Sequence, residues 1–379
     1  MRSLSVVISS ALAVATSCSD TTAACCTHAS PPVAKGVLYV KTYKTASSSM
    51  AGLLYRYASE HNLTAWGGVF KHCNTRAIPK FDVITGHNYC GRRGCSDAQR
   101  QPGAACRGMG YQPWMEPKLS HRPFIHVVLV AEPCARLVSS YFYRRLQASN
   151  LARQQKPHVA EVTVSTGSPG VGALDAKARE EAEIMAYAAG AFAADRDAVQ
   201  WHWLADGAAD GTFEQVVGSV LPVFEVVGLS ERFDESLILL ARALGMLAGG
   251  NGGRDRDCSF RQLLYARLKD HQPGHRAGWA DLTPATRTAV RAAVRASRDD
   301  AFYSAAAKRF AHDVAAGGAA LQAEADAFAR VHGALTAACD RELRAGGPAV
   351  GRSANNPRHV LRDPRLKCLL DKFDSGQRQ

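Results

Sequence analysis

The chain has little that would let it cross a membrane. Its longest apolar run, Leu4 to Ala15, is shorter than the ~20 residues a spanning helix needs. Val216 to Leu229 is interrupted by Pro222 and Glu225. Leu4 to Ala15 instead follows one basic residue, Arg2, and precedes the small residues Ala15, Thr16 and Ser17. That is the pattern of a secretory signal, which would anchor the protein to a membrane if left uncleaved. Metal spacing is also missing: Cys90, Cys95 and Cys106 have neither a fourth ligand nor paired C-x-x-C spacing, so a disulfide-stapled loop and no metal site are expected. There is no internal repeat. No zinc finger, recognition helix or aromatic RNA-binding motif is present, which argues against nucleic acid as a partner. Acids are scarce: 34 Asp and Glu against 46 Lys and Arg give a formal charge of +12. An excess of this size points to an anionic partner, either a doubly phosphorylated nucleotide or an acidic glycan.

What is present suffices for a large core. With 379 residues and 46% apolar content, the chain can hold one large domain or two ordinary ones. Inside a secretory lumen its eleven cysteines would be mostly paired, with one left over. Asn62-Leu63-Thr64 is a glycosylation sequon, consistent with a lumenal location. Residues 1–18 read as the signal or anchor, 19–35 as a linker, 36–338 as the folded domain and 339–379 as a mobile basic tail that a Cys339–Cys368 disulfide would pin.

The chain is organised around residues 36–55. Val37-Leu38-Tyr39-Val40 after Gly36 reads as a buried strand. A polar loop, Lys41 to Ser49, follows, and Met50, Leu53, Leu54 and Tyr57 then resume at helical spacing. A loop that opens a helix suits an anion, because the first N–H groups lack internal partners and the dipole adds positive charge. Lys44-Thr45 imitates the end of a Walker loop, but Leu38 and Tyr43 stand at its glycine positions. A backbone without those glycines cannot wrap a triphosphate, so a standard NTPase is excluded.

Further strands follow. Phe81 to Thr85 ends in Gly86-His87-Asn88, and a strand-end histidine suits a general base. Phe124 to Val130 ends in Ala131-Glu132-Pro133 and leads into a helix from Cys134. Phe224 to Leu229 is a fourth strand, with Ser230 as cap of the next helix. Asp175 to Leu204 reads as one helix whose end, Trp201-His202-Trp203, is expected to pack. Leu151 to Leu174 reads as a loop. Thr283-Pro284 opens a late helix.

These words carry a resemblance. K-T-x-K-T-A-S-S at 41–48, with Arg56 and His61-Asn62-Leu63-Thr64, looks like the phosphosulfate loop of Golgi carbohydrate sulfotransferases. The nearest likeness is to the galactose-3-O-sulfotransferase family, more distantly the hexuronic 2-O-sulfotransferases. E-P-x-x-R-x-x-S at Glu132 to Ser139, the trailing Tyr141-Phe142-Tyr143, and Gly228 to Leu240 strengthen it. The resemblance implies an α/β, P-loop-like fold with a central parallel sheet flanked by helices. It implies transfer of a sulfonate group from 3′-phosphoadenosine-5′-phosphosulfate to a galactose-containing or related glycan, in the Golgi lumen, without a metal. It assigns Lys44, Thr45, Ala46, Ser47, Ser48 and Ser49 to the phosphosulfate, Arg136 and Ser139 to the 3′-phosphate, Lys44 to the leaving oxygen and His87 to the base. One position departs from the pattern: the motif's first arginine is Ala131 here, which removes a bidentate charged contact. Arg136, Arg144 or Arg145 would have to compensate. The alternatives are a catalytically inactive lumenal glycan- or nucleotide-binding protein of the same fold and, further off, a P-loop phosphotransferase. The latter needs Mg²⁺ ligands, and the strand ends offer only Glu132.

Overall fold

The computed structural model describes residues 35–42, 44–69, 81–87, 123–154, 172–194, 199–204, 212–247, 259–266, 278–345 and 363–376. Five strands form one parallel sheet: β1 (Gly36–Val40), β2 (Ala65–Val69), β3 (Val83–His87), β4 (Phe124–Val130) and β5 (Val226–Leu229), in the order β2-β3-β1-β4-β5. The helices are α1 (Ser47–Glu60), α2 (Pro133–Gln154), α3 (Gly172–Ala194), α4 (Phe233–Ala243), α5 (Pro284–Ala296), α6 (Asp299–Ala345, broken at Gly318) and α7 (Pro364–Gly376). This is the α/β fold with a helix-flanked parallel sheet that the sequence predicts.

A parallel sheet covered on both faces needs strands that are apolar throughout. Successive residues of β1 and β4 point to opposite faces, and each face has its own core. Val37, Tyr39, Val127 and Leu129 pack with α1, α4 and the later part of α6. Leu38, Val40, Val128 and Val130 pack with Phe224 and with Phe302, Ala306 and Phe310 of α6. Gly228 of β5 is required by space: a Cβ there would lie 2.6 Å from Leu129 and 2.8 Å from Ser236. That close approach lets Ser236 Oγ accept from Leu229 N at 2.9 Å and tie the turn after β5.

Three expectations change. β2 has no counterpart in the sequence reading, because Ala65-Trp66-Gly67-Gly68-Val69 carries two glycines that weaken a strand signal. The helix expected over 175–204 ends at Ala194, and Trp201–Trp203 forms a separate short turn in which Trp201 donates its indole N–H to Ser297 O at 2.9 Å. The C-terminal region is not simply a basic tail. α6 runs to Ala345 and α7 packs against it, held by the Cys339–Cys368 disulfide and the Lys372–Glu342 pair at 2.7 Å. Arg261 also grips Asp374 with two bonds, at 2.7 and 3.0 Å. The disulfide spans 29 residues, for which loop-closure entropy gives about 3–4 kcal/mol. The Cys339→Ser/Cys368→Ser protein should therefore melt well below wild type in a denaturant titration. An unchanged midpoint would show that the disulfide adds nothing to the stability supplied by the other contacts of α7.

Candidate functional site

The sheet brings the carboxyl ends of β1, β3 and β4 side by side, since Val40 is in register with both Gly86 and Val128. Ligands in open α/β sheets sit at this edge, where the connections diverge. From β1 the chain turns toward β2, and from β4 it runs on to the other side.

The 41–49 loop is pinned to β4. Thr42 Oγ1 donates to Leu129 O at 2.6 Å, and Thr45 Oγ1 lies 2.7 Å from Thr42 Oγ1. Thr45 is fully buried, and its hydroxyl is engaged within the loop. Tyr39 is buried beside it, and desolvation pushes its phenol pKa up, keeping it neutral. Lys44 and Ala46 both take left-handed backbone, with φ of 63° and 53°. Two such residues without glycine in three positions constitute strain of the sort that persists where the surroundings over-determine it, often at functional sites.

That strain leaves α1 with an open N-terminus. Ala46 caps it and can offer no side-chain acceptor. Ser47 and Ser48 are buried in the first turn, and Ser49 Oγ donates to Ala266 O at 3.3 Å. The start of α2 is different. Glu132 accepts from Cys134 N at 3.1 Å and Ala135 N at 2.6 Å, so a carboxylate already fills that helix end. Beside it the Cys134 thiol is pushed up to about 12, by burial first and by Glu132 second, and is unreactive.

Lys44 joins the two halves. Its Nζ lies 4.9 Å from the centroid of the Tyr143 ring on α2. Ser139 precedes Tyr143 by four residues and so shares its helix face. Ala135, Ser139 and Tyr143 are all exposed or half-buried, whereas Leu137, Val138, Ser140 and Tyr141 are buried. The structure thus gathers Lys44, Ala46, the first turn of α1 and Ser139. His87 ends β3 at the same edge, and its backbone pairs with Val69; its side chain lies outside the described residues, as do Asn88, Cys90, Cys95, Cys106, His271, His275 and Arg276.

Arg136 is buried in an ion pair. Its side chain is fully enclosed and pairs with Asp299 at 2.9 Å, and Asp299 is equally enclosed. Asp299 also accepts from Gln200 N at 2.7 Å. Gln200 in turn holds the backbone of Ala131 from both sides, with its Oε1 and Nε2 each at 2.8 Å. The sequence reading missed Gln200 and Asp299, because their partners lie 69 and 99 or more residues away. Arg145 faces α3, at 3.4 Å from Glu180 and 3.5 Å from Glu183. Of the three arginines proposed to replace the missing one, Arg136 and Arg145 therefore have acidic partners of their own.

Glu181 of α3 organises the far side. It accepts from Thr283 N at 3.1 Å, Thr286 Oγ1 at 2.6 Å and Thr283 Oγ1, and so holds the first turn of α5. Burial pushes its carboxyl up, but these bonds outweigh burial and hold it below the usual range. A lowered folded value adds stability that is present above the ordinary carboxylate range and lost as pH falls through the folded value. Melting temperatures followed across acidic pH should fall less steeply for Glu181→Gln than for wild type. Parallel curves would contradict the assignment.

Geometry of this kind defines an α/β protein whose sheet edge carries a strand–loop–helix with no side-chain cap at the helix start. Comparison with known proteins is more specific. The family model described as Galactose-3-O-sulfotransferase matches residues 3–345, and the chain belongs to that family. Curated proteins named Galactose-3-O-sulfotransferase 3 are similar to it. The mouse protein is 27% identical over 246 residues, covering 63% of this chain and 49% of the relative. The bovine and human proteins are each 26% identical over the same length. The chain spans about half the length of the curated relatives it matches. No solved structure matches.

Proposed function

We propose that the protein transfers a sulfonate group from 3′-phosphoadenosine-5′-phosphosulfate to a hydroxyl of a galactose-containing glycan, on a glycolipid or glycoprotein, within the Golgi lumen. The observation that carries this is the uncapped N-terminus of α1 with Lys44 poised over Tyr143, one helical turn from Ser139. Family membership supports the reaction class, and the signal-like N-terminus and the disulfide support the compartment.

The residues fit the donor's anionic groups. The open N–H groups of α1, with the hydroxyls of Ser47, Ser48 and Ser49 near them, hold the 5′-phosphosulfate. Ser139 reaches toward the 3′-phosphate. In the transfer, the acceptor oxygen forms a bond to sulfur as the bond from sulfur to the 5′-phosphate oxygen breaks. His87 takes the acceptor's proton, and Lys44 with the α1 dipole stabilises the charge gained by the leaving phosphate. Holding donor and acceptor in line supplies much of the remaining acceleration. Arg136 acts as a positioning residue: through Asp299 and Gln200 it fixes the end of β4, where α2 departs.

The specific observation favouring a second reading is Ala131. Its backbone is locked by Gln200, and the side chains of Arg136 and Arg145 pair with acids. A binding protein of the same fold without transferase activity would tolerate that loss. The discriminating experiment is labelled-sulfate transfer across galactosides, uronic-acid polymers and glycolipids. Transfer to a galactoside is expected; nucleotide binding without transfer to any acceptor would establish the second reading instead.

A further inference from the structure

Helix α5 carries no acid. Its charged residues are Arg287, Arg291 and Arg295, spaced four apart and therefore on one face. Arg291 and Arg295 are exposed and Arg287 is half-buried. The adjacent face, about 100° around the helix, carries Thr286, Val290 and Val294 and is buried. At 1.5 Å per residue the three guanidiniums line about 12 Å of surface. The exposed positions among them are Ala285, Thr288, Ala292 and Ala296, so nothing bulky stands between the charges and an approaching partner.

Helix stability does not explain this arrangement. A cation helps near a helix C-terminus, as Arg295 does, but Arg287 stands near the N-terminus against the dipole. Neighbouring acids do not neutralise the stripe either. Glu181 is held by Thr283 and Thr286, Glu180 and Glu183 lie against Arg145, Asp281 accepts from Gly278 N at 2.7 Å, and Glu214 pairs with Arg298 at 2.6 Å. Among the described residues, none of the three arginines has an ion-pair partner. The helix packs against α2, which departs from the end of β4 at the sheet edge. At its side stands Trp279, half-buried, with Arg291 5.4 Å from its ring centroid.

We propose that the arginine face of α5, flanked by Trp279, binds the acidic portion of a glycan chain, with carboxylate- or sulfate-bearing sugars lying along the stripe and leading to the sheet edge. The proposal rests on the reading of that edge as a glycan-modifying site, and it extends the acceptor from a lone galactoside to a polyanionic chain. Three regularly spaced guanidiniums along one helix face complement a linear polyanion, and an aromatic ring beside them suits a sugar face. A membrane surface is the weaker occupant, because the exposed positions among the arginines offer only alanine and threonine to insert into lipid.

The test uses the full chain and an Arg287→Gln/Arg291→Gln/Arg295→Gln variant; glutamine keeps helix propensity, and equal melting temperatures verify folding. The probes are an unsulfated uronic-acid polymer, a neutral galactan and vesicles of phosphatidylserine with phosphatidylcholine. Wild type should bind the polymer with an affinity that falls steeply with salt, as counterion release requires for a linear polyanion. The variant should bind it about tenfold or more weakly, with a salt slope reduced by about two to three. Equal polymer binding by both proteins would overturn the proposal, and so would binding to vesicles alone or equally to the neutral galactan. Transfer to a small neutral galactoside serves as a separate readout. Its absence in both proteins would count against the transferase reading, while the polymer result would still decide the role of the stripe.

Discussion

Lys44→Ala should lower the turnover of sulfonate transfer by about 10²–10³, the loss seen when one preorganised donor to a developing anion is removed. The side chain is half-buried and rests on Tyr143, so its contribution to folding is on the order of 0.5–1 kcal/mol. Melting temperature should therefore hardly change while kcat collapses. Lys44→Arg keeps the charge and the aromatic contact and should recover part of the rate. If Lys44→Ala raised KM alone and left kcat intact, the lysine would bind the donor without stabilising the leaving phosphate.

Arg136→Ala has the opposite signature. The change leaves Asp299 buried without its guanidinium partner, which costs about 3–5 kcal/mol. Gln200, which shares Asp299 and holds Ala131, should loosen with it. The expected outcome is a large fall in the unfolding midpoint. Arg136→Met/Asp299→Leu removes both charges and should recover much of the loss, with nucleotide affinity close to wild type once the protein is folded. A stable Arg136→Ala protein that had lost its nucleotide would instead place this arginine at the 3′-phosphate, as the sequence motif implies.

These two residues show where the sequence is informative. The loop around Lys44 is legible because its signals are local: an apolar run, a polar loop without the Walker glycines, and a helical stripe within twenty residues. Strands β1 and β4 are legible for the same reason, since burial on both faces leaves an unbroken apolar run. Thr283 as the cap of α5 is also read correctly. The Arg136–Asp299 pair is not, because its partners stand 163 residues apart, and no local pattern distinguishes a buried ion pair from a phosphate contact. Ser230 was expected to cap the helix after β5. A short turn, Ser230–Arg232, intervenes, and Ser236 makes the tie to Leu229. The filled N-terminus of α2 was equally hidden, although Glu132 stood in the motif. Only the fold shows that its carboxylate turns back onto its own helix, so that of these two helix ends it is α1 whose start has no side-chain cap.

In the proposed reading, the open end of α1, with Lys44, forms the phosphosulfate half of a nucleotide site that persists despite Ala131. Calorimetric titration of the full chain with adenosine 3′,5′-bisphosphate tests it most directly. Saturable binding is expected, weaker in Lys44→Ala and retained in the folded Arg136→Met/Asp299→Leu protein. No binding heat at millimolar nucleotide, in a protein shown to be folded, would contradict it.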